Sequence, residues 1–335
     1  MLTAIIAILM FALLIFVHEG GHCVAAKACG IQVNEFALGM GPLLIKRKWG
    51  ETEYSLRLIP IGGYCAMEGE DEESENPRAF NNKEAWKKAV VIVAGPAMNV
   101  VLALFLMIGV MYAIGMPTTT IGNLQADGPA YNAGIEVGDT IVAIDGKDVS
   151  TWDDVGEYIE NGGDTGTITV DRDGKTLDLS MTPTTAEDDG RKIVGIVAES
   201  EHNIGYAIKE GPAATWTLTK QMYLIFKQLF TGEVSAKDLS GPVGIVYIVN
   251  QTAKTGLINV IYLIALISLN LAVVNLLPFP ALDGGRLVFV IIRKLTGKMI
   301  TDRMEAMVNY LGLLCLLALM VFVTWQDILR FFIKS

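Results

Sequence analysis

Four stretches of the chain lack charged residues over lengths that can cross a bilayer. They cover residues 1–17, 89–116, 256–282 and 306–326. A helix rises about 1.5 Å per residue and the hydrocarbon layer is about 30 Å thick, so about 20 apolar residues span it. The pattern predicts four transmembrane helices. The first stretch has no basic n-region and no A-x-A site, and it runs directly into HEGGHCVAAK, which favours a retained span over a cleaved signal peptide.

Charge differs between the loops that join these stretches. Basic residues are concentrated in the first and third loops. The first loop carries Lys27, Lys46, Arg47, Lys48, Arg57, Arg78, Lys83, Lys87 and Lys88, and the third carries Arg286, Arg293, Lys294, Lys298 and Arg303. The middle loop, 117–255, holds 21 acidic and 10 basic residues. The positive-inside rule therefore places the first and third loops in the cytoplasm, and the termini and the middle loop outside.

The middle loop has the pattern of a small β domain. The short runs TIVAI, GTITV and KTLDL alternate with the turn dipeptides Asp145-Gly146 and Asp173-Gly174, and no strong helical period precedes residue 205. A mostly-β domain is predicted over 117–187, followed by a connecting region over 188–255. Within that region the apolar residues of 213–230 recur at helical spacing, which predicts an amphipathic helix that lies at the outer membrane surface or packs under the β domain.

Composition supports a membrane protein and excludes other classes. Hydrophobic residues make up 52% of the chain, charged residues only 19%, and the formal net charge is −10. A chain with this balance has no global basic surface, so we expect no nucleic-acid partner. The four cysteines show neither CxxC spacing nor the density of a disulfide scaffold, so neither a disulfide framework nor a thiolate zinc site is predicted.

Ionisable residues cluster at the end of the first stretch in the motif HEGGH. His18 and His22 are four residues apart and share one face of a helix, and Glu19 sits one step round the helix. Two imidazoles could thus reach one metal ion while Glu19 addresses a water. The alternative is a chance pentapeptide whose histidines are satisfied by hydrogen bonds. Ionisable groups cost about 2.5–3.5 kcal/mol each in a span, so three in five residues favour a compensating metal.

A third ligand is available near the end of the third stretch, in NLLPFPALDGGR. Asp283 follows 27 uncharged residues and is expected at the same cytoplasmic depth as the two histidines. Three protein ligands with one open position are typical of catalytic zinc. Pro278 and Pro280 break the helix before Asp283, and Gly284 and Gly285 permit a turn after it. Asn275 either donates to a developing oxyanion or to substrate backbone, or caps carbonyls freed by the prolines. In AGPAMN, either Gly95 and Ala97 allow close helix packing or Asn99 faces the site.

The motifs HEGGH, EFALGMGP, SLRLIPIGGYCAMEGED, AGPAMN, SGPVGI and NLLPFPALDGG together resemble the site-2 protease family of intramembrane zinc metalloproteases, specifically the regulator of sigma E protease type. The resemblance covers nearly the whole chain. GPAYNAGIEVGDTIVAIDGKDV is similar to a PDZ domain of the kind that this family carries between the second and third spans. One such segment is visible here, whereas some relatives carry two.

The resemblance implies a site and a fold. His18, His22 and Asp283 would bind one Zn²⁺ per chain, and Glu19 would act as the catalytic base. Residues 57–67 would form a membrane-associated β-hairpin in which Gly62 and Gly63 help to bind substrate; a plain tight turn at IPIGGY is the alternative. The expected fold is a polytopic α-helical membrane protein with four transmembrane helices, this β-hairpin and an inserted mostly-β PDZ domain. Its parts would be a membrane catalytic half over 1–116, the PDZ domain over 117–187, the connecting region over 188–255 and a second membrane half over 256–335.

The expected function is hydrolysis of peptide bonds within or near the transmembrane segments of single-span substrates in the bacterial inner membrane. Membrane-anchored regulators such as anti-sigma factors, and remnant signal peptides, are the substrates that the resemblance implies. The PDZ domain would act as a size filter or dock newly made C-termini. Two other functions stay open: a membrane-tethered PDZ binding protein with a vestigial metal site, and a metal transporter. A transporter would carry polar groups along a path through several spans, whereas those of this chain collect at one depth.

Overall fold

The computed structural model describes residues 2–70, 72, 74–186, 190–233, 240–297 and 301–333. Lys298, one of the cations counted above, lies outside these residues. The chain divides into two compact units, which we call the membrane unit, Met1–Val110 with Gly211–Ser335, and the β-rich unit, Met111–Glu210.

The first part of the membrane unit is two long helices with a small sheet between them. Its elements are α1 (Leu2–Ala28), β1 (Val33–Trp49), β2 (Thr52–Met67), a 3₁₀ turn (Phe80–Asn82) and α2 (Ala85–Ile114). β1 and β2 pair antiparallel around a turn at Gly50, and the register places Phe36 opposite both Tyr54 and Cys65. Both halves of β2 therefore flank the first half of β1.

This register corrects the expected position of the hairpin. Residues 57–67 do not form a hairpin by themselves; they belong to β2, and the hairpin begins at Val33. IPIGGY lies within β2 rather than in a tight turn: Ile59, Gly63 and Tyr64 pair with β1, and Gly62, with a φ of +83°, falls in the irregularity between them.

The β-rich unit is a twisted antiparallel sheet with two short helices. Its elements are β3 (Met116–Leu124), α3 (Pro129–Asn132), β4 (Thr140–Ile144), β5 (Lys147–Asp148), α4 (Trp152–Asn161), β6 (Gly166–Arg172), β7 (Lys175–Met181), β8 (Thr184–Thr185), β9 (Lys192–Ile193) and β10 (Ile196–Glu201). The main sheet has the order β10-β3-β4-β6-β7, with β5 paired to β4. The two Asp-Gly dipeptides have positive φ at both residues and join β4 to β5 and β6 to β7, as their sequence predicts.

Two features of this unit differ from the sequence prediction. α4 lies in a segment for which only β structure is predicted from the sequence, although Trp152, Val155 and Ile159 recur there at helical spacing. Its start is a capping box between Thr151 and Asp154. β10 lies beyond residue 187 in the expected connecting region, yet it pairs with β3 and so belongs to the main sheet.

The chain then returns to the membrane unit through five helices. They are α5 (Ile204–Thr231), α6 (Pro242–Thr255), α7 (Leu257–Asn275), α8 (Asp283–Thr296) and α9 (Asp302–Ile328), followed by a π turn (Leu329–Ile333). α5 contains the predicted amphipathic helix over 213–230. α7 ends at Asn275 instead of continuing to residue 282, and Asp283 does not end the third span but begins α8. The break is explained by Pro278 and Pro280, which cannot donate helical hydrogen bonds.

Within the described residues, four helices are long and apolar enough to cross a membrane: Ile5–Ala28, Ala85–Ile114, Leu257–Asn275 and Met304–Phe331. α1, α6 and α7 share a buried core that includes Met10, Leu14 and Val249. The predicted class, a helical membrane protein with a β-hairpin and an inserted mostly-β domain, is confirmed.

Candidate metal centre

α1 brings the two histidines of HEGGH to one point in the membrane unit. His18 and His22 are both 8% exposed, and their rings meet edge to face. Their Nε2 atoms are 3.3 Å apart. Two nitrogen ligands are thus presented side by side on one face of the helix, as their spacing of four residues predicts.

Asp283 completes the cluster from a distant part of the chain. Its Oδ2 atom lies 3.3 Å from Nε2 of His18 and 3.5 Å from Nε2 of His22. The ligand atoms of the three residues lie within 4.8 Å of one another. Because Asp283 occupies the first turn of α8, the helix dipole also favours its negative charge.

His22 is oriented by the second helix. Its Nδ1 lies 2.8 Å from the carbonyl oxygen of Val91, which can only accept, so Nδ1 donates and Nε2 keeps a lone pair toward Asp283. Gly95, one helical turn beyond Val91, leaves the space for this ring: a Cβ at that position would stand 2.2 Å from Nε2 of His22. A hydrogen-bonded outer partner of this kind is usual for metal-binding histidines.

His18 is oriented by the same helix. The side-chain amide of Asn99 lies 3.1 Å from Nδ1 of His18, and Asn99 is fully buried. The hydroxyl of Ser268 on α7 donates to the backbone carbonyl of Asn99 (2.8 Å), which ties α2 to α7 at this level. The two interpretations of AGPAMN therefore hold together: Gly95 permits close packing against His22, and Asn99 faces the site. No pattern in the sequence indicates that the Val91 carbonyl contributes.

The geometry of the cluster fits a metal ion. Oδ2 of Asp283 is buried and, among the described residues, is without a hydrogen-bond partner. The Nε2 lone pair of His22 and the carboxylate oxygen of Asp283 converge in a buried place and repel each other unless a cation lies between them. Two imidazoles and one carboxylate form a donor set that catalytic zinc sites use.

The other predicted site residues lie on α1, β2 and α7. Glu19 is half-buried, and a Cβ on Gly63 would come within 3.6 Å of its Cγ, so β2 passes directly beside Glu19. Asn275 directs its Nδ2 to within 3.5 Å of Nε2 of His18. Gly62 instead lies against the side chain of Met40.

The segment that carries Asp283 is held by close backbone contacts. A Cβ on Gly284 would stand 2.2 Å from the carbonyl oxygen of Leu277, and one on Gly285 the same distance from that of Phe279. These glycines therefore allow α8 to pack on the irregular segment before it; they do not form a turn after Asp283. Beyond them, Arg286 pairs with Glu70 of the segment that follows β2.

The loop before Asp283 has an unusual backbone. Ala281 has a φ of +71°, a conformation that side chains with a Cβ rarely adopt. Its amide donates to the side-chain oxygen of Asn309 on α9 (3.2 Å), which holds the loop in place. Local strain of this kind is typical of functional sites.

Comparisons with known proteins agree with the geometry. The family model of Peptidase family M50 matches residues 6–319. A putative zinc metalloprotease of Clostridium acetobutylicum is 40% identical over 329 residues, 97% of this chain and 96% of the relative. The regulator of sigma-W protease RasP of Bacillus subtilis is 32% identical over 418 aligned positions, 99% of each chain.

Among solved structures, the PDZ domain of an SdrC-like protein from Listeria innocua matches 26% of this chain and 99% of its own length, with 25% identity and a TM-score of 0.23. The matched residues, 6–319, include the HEGGH and LDGG segments of this chain, which carry the three residues of the cluster. The chain therefore belongs to Peptidase family M50, the site-2 proteases, and is a membrane zinc metalloprotease.

Proposed function

We propose that the protein cleaves single-span membrane proteins within or near their transmembrane segments, with one zinc ion held by His18, His22 and Asp283. The observation that carries this proposal is the convergence of three ligand atoms within 4.8 Å from two helices that are far apart in sequence. When bound, zinc supplies the Lewis acidity for water activation and for polarising a peptide carbonyl.

Glu19 is proposed to move the protons of the reaction. It follows His18 directly in the sequence and lies half-buried beside β2, and we assign it the removal of a proton from the attacking water. The same carboxyl group then returns the proton to the leaving amine. Asn275, whose amide reaches His18, is proposed to donate a hydrogen bond to the carbonyl oxygen as it gains charge.

The second half of β2 is proposed to bind the substrate backbone. Residues 63–67 pair with β1 on one side only, and Gly63 brings this strand edge against Ile15 and Glu19 of α1. A substrate that adds to this edge by backbone hydrogen bonds must leave its helical conformation, which exposes a peptide bond for hydrolysis. Gly62, with its positive φ, shapes the same strand.

The proposed substrates are membrane-anchored regulators such as anti-sigma factors, or remnant signal peptides. The name of the Bacillus subtilis relative, a regulator of sigma-W protease, supports the first class. The charge of the loops supports an active site toward the cytoplasm, with the termini and the β-rich unit outside. In that position the β-rich unit would dock the C-terminus of a substrate that has already been cut, or exclude substrates that have not.

The test is cleavage of a single-span model substrate by purified protein, measured together with zinc content. Glu19→Gln is expected to retain zinc and to lose at least about 100-fold in turnover, because the general base alone is removed. His22→Ala is expected to lose both. Glu199→Gln, an exposed carboxylate on β10, is the matched control and should change neither. Full turnover by Glu19→Gln would contradict the assignment of the base.

A further inference from the structure

The sheet of the membrane unit exposes an apolar band that is followed by three cations and a tryptophan. The band consists of large side chains that are 43–66% exposed: Met40, Leu43, Leu44, Ile45, Leu56, Leu58 and Ile59. Directly after Ile45 come Lys46, Arg47 and Lys48, all exposed, and then Trp49 at 80% exposure. Apolar residues, cations and tryptophan in this order are typical of a segment that crosses from hydrocarbon into the headgroup layer.

Pairing in the sheet places the cations level with the end of the first span. Trp49 is opposite Thr52, whose hydroxyl donates to the carbonyl of Val33 (2.9 Å). Arg47 is opposite Tyr54, whose hydroxyl accepts from Lys27 in the last turn of α1 (2.9 Å). The segment 46–49 therefore lies at the depth where α1 leaves the hydrophobic layer.

The apolar band lies deeper along the same helix. Ile45 is opposite Leu56, Leu56 is opposite Leu38, and Leu38 is opposite Gly63 on its other side. Gly63 in turn lies against Ile15 and Glu19 of α1. Ile15 is twelve residues before Lys27, which corresponds to about 18 Å along a helix. The exposed apolar residues are thus level with the interior of the span, where acyl chains would cover them.

Charge identifies the partner of the cationic segment. Lys46 contacts Glu53 (3.1 Å), whereas Arg47 and Lys48 make no ion pair within the described part of the chain. Basic residues at the membrane surface attract anionic phospholipids, and tryptophan is enriched at the same depth. An acidic protein would match the cations alone, but not the apolar band that continues along the strand.

We propose that Lys46, Arg47, Lys48 and Trp49 bind the headgroups of anionic phospholipids and hold the sheet at a fixed depth. Binding itself does not depend on proteolysis. It does bear on the proposed function, because the strand edge at 63–67 belongs to the same sheet and its depth decides which part of a substrate helix lies beside Glu19.

The experiment measures amide hydrogen exchange of residues 43–57 in the full-length protein in nanodiscs. One set of discs contains phosphatidylcholine alone and the other contains about 30% phosphatidylglycerol. Exchange of the wild type is expected to be at least about tenfold slower in the anionic discs, and 0.5 M salt should reduce the difference because it screens exposed charges. The variant K46Q/R47Q/K48Q should exchange at the same rate in both lipids.

The control K147Q/K175Q/K209Q removes three cations from the β-rich unit and should keep the wild-type response to lipid. Retained zinc in K46Q/R47Q/K48Q shows that the variant is folded. Equal exchange of the wild type in both lipids would overturn the proposal, and so would an unchanged lipid response in K46Q/R47Q/K48Q. Loss of cleavage by Glu19→Gln is a separate readout, so either proposal can fail without the other.

Discussion

The replacement of Gly95 by alanine tests whether close contact between α1 and α2 sets the position of His22. Gly95 lies on α2, and the added Cβ would stand 2.2 Å from Nε2 of His22 and 2.6 Å from its Cε1. Ordinary contacts begin near 3.4 Å, so the ring and α2 must separate by more than 1 Å. The hydrogen bond from Nδ1 to Val91 limits how far the ring can turn (2.8 Å).

The displacement is large compared with the tolerance of a metal site. Ligand distances at zinc vary by about 0.2 Å, so a shift of 1 Å removes His22 from coordination. Overpacking of this size costs about 1–3 kcal/mol, and this cost should appear as a lower free energy of unfolding or as a weaker affinity for the metal. Loss of a single orienting partner already costs about 10–100-fold in metal affinity, so we expect at least a 100-fold weaker affinity for zinc in Gly95→Ala.

The assay is competition for zinc with a chelator, followed by zinc analysis and cleavage of a model substrate. Gly109→Ala is the matched control, since Gly109 lies on the same helix and nothing stands within 4 Å of its Cβ position. That substitution should raise helix stability by up to about 1 kcal/mol and leave zinc affinity unchanged. Wild-type zinc affinity in Gly95→Ala would refute the view that this contact positions His22.

Two further predictions concern buried carboxylates outside the metal centre. Burial would raise the pKa of Asp139, but hydrogen bonds from Arg172 (2.7 Å) and from the amide of Glu136 (2.9 Å) outweigh it and lower the pKa. Asp139→Asn should therefore destabilise the β-rich unit by about 2 kcal/mol at pH 7, as measured by hydrogen exchange of β4 and β6. The difference in stability between wild type and variant should fade below about pH 4, because the carboxyl group of the unfolded chain is protonated there. A constant difference down to pH 2 would contradict this prediction. Asp327 on α9 is 2% exposed and accepts a hydrogen bond from the amide of Gly244 in the first turn of α6 (2.7 Å). Asp327→Ala should cost about 1–2 kcal/mol of stability in detergent, and Asp327→Asn should cost less because it keeps an oxygen acceptor. An equal loss in both variants would show that this acceptor does not stabilise the helix.

The members of the His18–His22–Asp283 cluster could be predicted from sequence because each depends on a local rule. His18 and His22 share a helical face by their spacing, and Asp283 is a carboxylate beyond a long uncharged run. The Asp-Gly turns of the β-rich unit follow from two residues with positive φ. In each case a few adjacent residues determine the outcome.

The features that were missed depend on contacts between distant segments. The register that folds β2 around β1 is decided by which strands meet, and a run such as SLRLIPIGGYCAM is compatible with several registers. The Val91 carbonyl has no side-chain signature at all, since every residue has a carbonyl. Pro278 and Pro280 predict a break before Asp283, but the uncharged run 256–282 does not show that α7 already ends at Asn275, because apolarity alone does not separate a helix from a buried irregular segment.

Close backbone contact is a general property of this metal centre, and the membrane explains why. Helices in lipid gain little from burying apolar side chains against each other, so they associate through small residues that let backbones approach. Gly21 on α1 lies against the carbonyl of Ala94, where a Cβ would come within 2.4 Å, and Gly284 makes the corresponding contact for Asp283. A larger residue at Gly21 would push α1, which carries the two histidines, away from α2. A larger residue at Gly284 would push the start of α8, which carries Asp283, away from the segment before it, even though neither glycine has a side chain that could touch a metal. We therefore expect zinc binding in this chain to depend on more positions than His18, His22 and Asp283, and a search for ligand chemistry does not find these further positions.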